Sequence, residues 1–84
     1  MNHESLLQHI REAVCRELEL PLENLVDSAS LRKDYGLDSV AAVNIAFALE
    51  SELGIAIDVK HLVGIDSIDD LRHLLLQHVL PHEG

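Results

Sequence analysis

Apolar side chains in this chain recur at helical spacing and almost never alternate, which points to a bundle of helices. Leu6, Leu7, Ile10, Ala13, Val14 and Leu18 fall on one side of a helix predicted over His3 to Leu18. Pro21 halts that pattern. A second main helix is predicted from Ser39 to Leu53, with Asp38 as its N-cap and Gly54 as its C-terminal stop. A short helix is expected near Asp58 to Val63, ended by Gly64. The last begins at the Ser67 cap, with Asp70 as its capping-box partner. It carries Ile68, Leu71, Leu74, Leu75 and Val79 and ends before Pro81. Only Ile55-Ala56-Ile57 looks strand-like. The expected fold is all-α: a four-helix bundle with three main helices, a short third helix, and a long loop over residues 20 to 38. Leu22, Leu25, Val26 and Leu31 are expected to pin that loop to the core, and a loop of this length is often functional.

Residues 1–84 read as one domain, with no repeat or linker. A core this thin leaves little room for a deep catalytic cleft, which argues against a stand-alone enzyme. Fifteen acidic residues against six Lys and Arg give a formal net charge of -9. Nucleic-acid phosphates and anionic membranes repel such a chain, so its expected partners are proteins with basic patches; the other reading of the acidity is solubility alone. No segment reads as a signal peptide or a membrane span, and the single Cys15 fits a reducing cytoplasm. Cys15 falls off the centre of the first helix's apolar face and reads as a half-buried, inert thiol.

The helix predicted over Ser39 to Leu53 has two apolar faces. Ala42, Ile45, Ala46, Leu49 and Leu53 gather on one side and are assigned to the core. Val40, Val43 and Phe47 gather nearly opposite, rimmed by Asn44, Glu50 and Ser51. A small bundle cannot easily bury both sides, so the second stripe is expected to be at least partly exposed as a protein-docking surface. The competing arrangement has the loop fold over Val40 and Val43 and leave only Phe47 outside.

The segment Asp34-Tyr35-Gly36-Leu37-Asp38-Ser39-Val40 leads into that helix. Gly36 permits a tight or left-handed turn, and capping by Asp38 puts Ser39 in the first turn. A hydroxyl there is accessible and faces the unbonded amides and positive end of the helix dipole, which favours a phosphodiester on that oxygen. With this motif and helix order, the chain from about Leu6 to Val79 resembles the acyl carrier protein family, most closely over Asp34 to Ile57, including Ala48-Leu49-Glu50-Ser51-Glu52-Leu53-Gly54-Ile55.

The resemblance implies an acyl-carrier-like bundle in which Ser39 bears a covalent 4'-phosphopantetheine arm. A phosphopantetheinyl transferase would move the arm from coenzyme A with magnesium, and Asp38 would help position metal and substrate. The arm's thiol would hold acyl intermediates as thioesters, the protein itself being a monomeric, cytoplasmic, non-catalytic shuttle among acyl-loading and acyl-processing enzymes. Val40, Val43, Asn44, Phe47 and Glu50 would form the docking face, and Ile57, Leu62 and Ile65 would line an acyl cavity. The family's pattern is not met everywhere. Tyr35 stands where Leu is frequent, Asp58 where Pro is common, and Ala41 and Asn44 where fatty-acid carriers are often acidic. These departures favour a specialised polyketide or mixed polyketide–peptide pathway. Two alternatives stay open: an aminoacyl or peptidyl carrier loaded by an adenylating enzyme, and an arm-less helical interaction module. A Ser-His-Asp site is disfavoured because no His lies near Ser39 in sequence. His3, His9, His61, His73, His78 and His82 read as surface residues rather than a metal site. Glu17, Glu19, Glu23 and Asp27 read as solvated charge.

Overall fold

Leu6, Ile10, Ala13 and Val14 lie one helical turn or less apart, and all are buried. They form the inner face of α1, His3–Leu18, in a computed structural model that describes residues 3–79. A short 3₁₀ turn at Leu22–Asn24 follows, then α2 at Leu31–Tyr35, α3 at Ser39–Leu53, a second 3₁₀ turn at Val59–Leu62, and α4 at Ile68–Leu74. Helix α4 runs on as a π-helical segment, Leu75–Val79. The predicted bounds of α1 and α3 coincide with the observed ones. Pro81 and His82 lie outside the described residues, as do the side chains of His3, His78 and Val79.

Helix α1 packs against both α3 and α4. Between them sits one apolar cluster that includes Ile10, Val14, Leu31, Ile45, Leu49, Ile68, Leu71 and Leu75. Cys15 is buried rather than half-buried, and burial pushes its thiol up from the ordinary range, which keeps it inert. The capping box of α4 is complete: Ser67 Oγ accepts from the Asp70 amide at 3.1 Å, and the Asp70 carboxylate accepts from the Ser67 amide at 3.1 Å.

The long connection expected over residues 20–38 is present and partly helical. It contains the first 3₁₀ turn and α2, whose cap Ser30 accepts from the Lys33 amide at 3.1 Å. Leu31 anchors it in the core and Leu25 packs at the edge, but Leu22 and Val26 are exposed. Polar links replace them. The Tyr35 hydroxyl donates to Asn24 O at 2.9 Å and accepts from the Val26 amide at 3.0 Å. Asp27 takes a two-pronged bond from Arg11 of α1, with Nε at 2.8 Å from Oδ1 and Nη2 on Oδ2, and its carbonyl accepts from the Asp69 amide at 3.1 Å. Asp27 is therefore a strap joining the connection to α1 and α4, not solvated charge. Glu17 is likewise engaged, accepting from Asn44 Nδ2 at 3.0 Å.

Candidate functional site

The turn from α2 into α3 builds the site. Gly36 adopts φ +74°, a left-handed conformation that other L residues rarely hold. It lets the chain reverse so that the Leu37 amide reaches Leu31 O at 3.0 Å, closing the end of α2. Leu37 is thereby buried, and the next residue is thrown outward. Asp38 is extended and caps α3, its Oδ1 accepting from the Ala41 amide at 2.8 Å. Ser39 is the first helical residue and is exposed. The amides of Ser39 and Val40 precede the i−4 bonding ladder of the helix, so they face outward beside the hydroxyl with the positive end of the α3 dipole.

A crevice of about 170 Å³ opens next to Ser39, walled by Ala42, Val43, Leu62 and Val63 with Arg32 at its edge. Arg32 was not singled out from the sequence; the available signal was a basic residue seven positions before Ser39 in a strongly acidic chain. Of the residues assigned to an acyl cavity, Leu62 lines this crevice. Ile57 instead closes into the main core, and Ile65 lines a separate depression with Lys60, His61 and Asp70. The three do not line one pocket, although Leu62 and Ile65 both pack against the core cluster that contains Ile57.

The α3 stripe is open. Val40 is 67 % and Phe47 60 % exposed, Val63 continues the apolar surface from the neighbouring turn, and Asn44 is exposed between them. Val43 is half-covered, because the crevice wall leans on it. The core side of α3 is rotated slightly from expectation: Ala41, Ile45, Ala46 and Leu49 are buried, while Ala42 and Leu53 are half-buried. Ala41 therefore belongs to the packing and not to the outer surface.

Glu50 corrects a second expectation. It is half-buried, and its carboxylate accepts from the Ile57 amide at 2.7 Å while its carbonyl takes the Gly54 and Ile55 amides at 2.9 and 3.2 Å. It holds the chain as it leaves α3 and is not free on the docking rim. On the far side, Glu52 accepts from Arg16 Nη2 at 2.6 Å and lies 3.4 Å from His9 Nδ1, joining α1 to α3 at the surface.

An exposed hydroxyl at a helix start, with outward amides and a nearby guanidinium, fits a covalently held phosphodiester. The apolar crevice fits whatever extends from it. Comparison with known proteins agrees. Residues 8–75 match the PP-binding family, described as the phosphopantetheine attachment site. The chain is 30 % identical over 79 residues to an "Acyl carrier protein" of Saccharopolyspora erythraea, covering 94 % of this chain and 83 % of that one. It is 30 % identical to "Acyl carrier protein 3" of Ralstonia nicotianae, covering 84 % and 82 %. It is 31 % identical to "Polyketide-8 synthase acyl carrier protein 2" of Streptomyces avermitilis, covering 81 % and 78 %.

Proposed function

This chain belongs to the acyl carrier protein family, whose members bear a phosphopantetheine arm, and from that premise we propose that Ser39 is the residue that carries the arm. It is a carrier and not an enzyme. The observation that supports Ser39 is its exposed place at the first position of α3, fixed by the Gly36 turn and the Asp38 cap. In the loading step Ser39 Oγ gives up its proton and bonds to the phosphorus of coenzyme A's pantetheine phosphate as the nucleotide leaves, under a phosphopantetheinyl transferase and magnesium. Asp38 uses one carboxylate oxygen to cap the helix, and its exposure lets the other face the metal and substrate of that transferase. When bound, the arm supplies a terminal thiol that holds acyl groups as thioesters. Val40, Phe47 and Asn44, with Val43 half-sunk among them, form the surface on which loading and processing enzymes dock; weak, fast association suits so small a patch.

Incubation with coenzyme A, magnesium and a broad-specificity transferase tests this by intact mass. The wild-type protein gains one arm and Ser39→Ala gains none. No gain on the wild type, where a control carrier is converted, would return the chain to an arm-less interaction module.

The pathway we assign is of polyketide or mixed polyketide–peptide type, acting in the cytoplasm. It is supported by the uncharged Asn44 on the outer face of α3 and by the likeness to the Streptomyces avermitilis protein, whose name places it in a polyketide synthase. Offering the holo protein malonyl-type acyl groups and aminoacyl adenylates side by side decides it. Preferred aminoacyl loading identifies a peptidyl carrier instead.

A further inference from the structure

Arg32 sits in the first turn of α2 and, among the described residues, is the only charged one lining the crevice beside Ser39. That side chain is 56 % exposed and loosely engaged: Nη2 is 3.4 Å from Ile65 O, and Nε is 3.9 Å from Asp66 Oδ1, beyond hydrogen-bonding distance. The Asp66 carboxylate pairs with this guanidinium only at long range and has two shorter hydrogen bonds of its own. One oxygen accepts from the Ser30 hydroxyl and the other from the Arg32 amide at 3.0 Å, and these bonds hold its pKa below the usual carboxylate range. A phosphodiester at Ser39 enters a protein of net charge -9, next to Asp38. It needs a cation, and a guanidinium offers paired N–H donors matched to phosphate oxygens.

Resting on Ser39 as the tether, we propose that Arg32 binds the phosphodiester of the arm and so lays the arm's first segment into the apolar crevice between α3 and the Val59–Leu62 turn. The α3 amides address the phosphate from one side and Arg32 from the other. Covalent attachment keeps the anion beside the guanidinium at high effective concentration, so a loosely held, exposed arginine suffices. Release from Arg32 then frees the arm to swing toward an enzyme.

The test uses the isolated holo protein with no partner enzyme, in wild-type, Arg32→Gln, Arg32→Lys and Lys33→Gln forms. Intact mass first establishes that each carries the arm; a wild type without one removes the tether and this inference with it. Phosphorus NMR and nuclear Overhauser contacts between arm protons and the Val43 and Leu62 methyls then read the arm's position. In the wild type those contacts are present and the phosphorus resonance is displaced from that of free phosphopantetheine. Arg32→Gln loses the contacts and moves the resonance toward the free value, Arg32→Lys keeps a fraction, and Lys33→Gln matches the wild type. Raising the salt to ~1 M, where the Debye length shrinks to about 3 Å, weakens the wild-type contacts as Arg32→Gln does. An Arg32→Gln spectrum identical to wild type overturns the proposal, even if that variant binds an enzyme less well. An equal loss in Lys33→Gln overturns it too, since general positive charge would then be the cause.

Discussion

At Phe47 a large aromatic ring is left mostly in water although an apolar core is adjacent, and this asymmetry separates surface chemistry from folding. Phe47→Ala removes almost no packing, so its effect on stability stays within about 0.5 kcal/mol. Its effect on enzyme turnover is expected to be large, because exposed aromatics anchor small interfaces. Urea unfolding measured beside turnover with a cognate enzyme checks this; an unfolded variant would place the ring in the core. Gly36 is the converse case, a residue with no side chain on which the site's geometry depends. A Cβ there meets no neighbour, so the penalty of Gly36→Ala comes from holding φ +74° and is about 1 kcal/mol. Because the strain falls on the turn that presents Ser39, the rate of arm attachment is expected to drop as well.

At the scale of elements, stability comes from caps and straps as much as from the helices themselves. Ser67→Ala removes one half of the α4 capping box and is expected to cost about 1 kcal/mol, read from the urea midpoint. Asp27→Asn weakens the strap to Arg11 and is expected to cost about 1.5–3 kcal/mol, as for a hydrogen bond to a charged group. Its pH signature is distinctive. The bond from Arg11 holds the Asp27 carboxyl below its ordinary range. Its contribution is therefore complete above the unfolded-state value near ~3.9 and is lost as pH falls through the lower folded value. Stability followed from pH ~5 downward falls less steeply in Asp27→Asn; an unchanged slope would mean that the strap does not hold the fold. Tyr35 belongs to the same economy of short links. Its hydroxyl joins Asn24 O and the Val26 amide, contacts that a leucine at this position could not make.

The whole molecule carries a net charge of -9 on 84 residues, and self-repulsion works against the folded state. Its ion pairs are largely at the surface and contribute little each. Screening is therefore expected to relieve more repulsion than it removes attraction. Adding salt raises Tm, a gain of about 1 kcal/mol corresponding to about 4–8 °C in a domain of this size. A falling Tm on thermal scans would mean that the ion pairs outweigh the net charge. Among the described residues no helix is long and apolar enough to cross a membrane. The acidity, the exposed α3 stripe and the exposed Ser39 lie on one small bundle, which suits a carrier protein.

Helix periods, caps and stops were legible from the sequence because they are local: α1 and α3 follow from apolar spacing, Asp38, Gly54 and Ser67. The motif that exposes Ser39 was legible for the same reason, since Gly36, Asp38 and Ser39 act within one turn. What spacing does not encode is which partner a polar side chain meets after the chain folds back. Arg11 and Asp27 are 16 residues apart, Arg32 and Asp66 are 34 apart, and Glu50 reaches forward to the Ile57 amide. Those pairings needed the tertiary structure. So did the crevice beside Ser39, because its walls come from three separate elements and exist only once α3 and the Val59–Leu62 turn lie side by side.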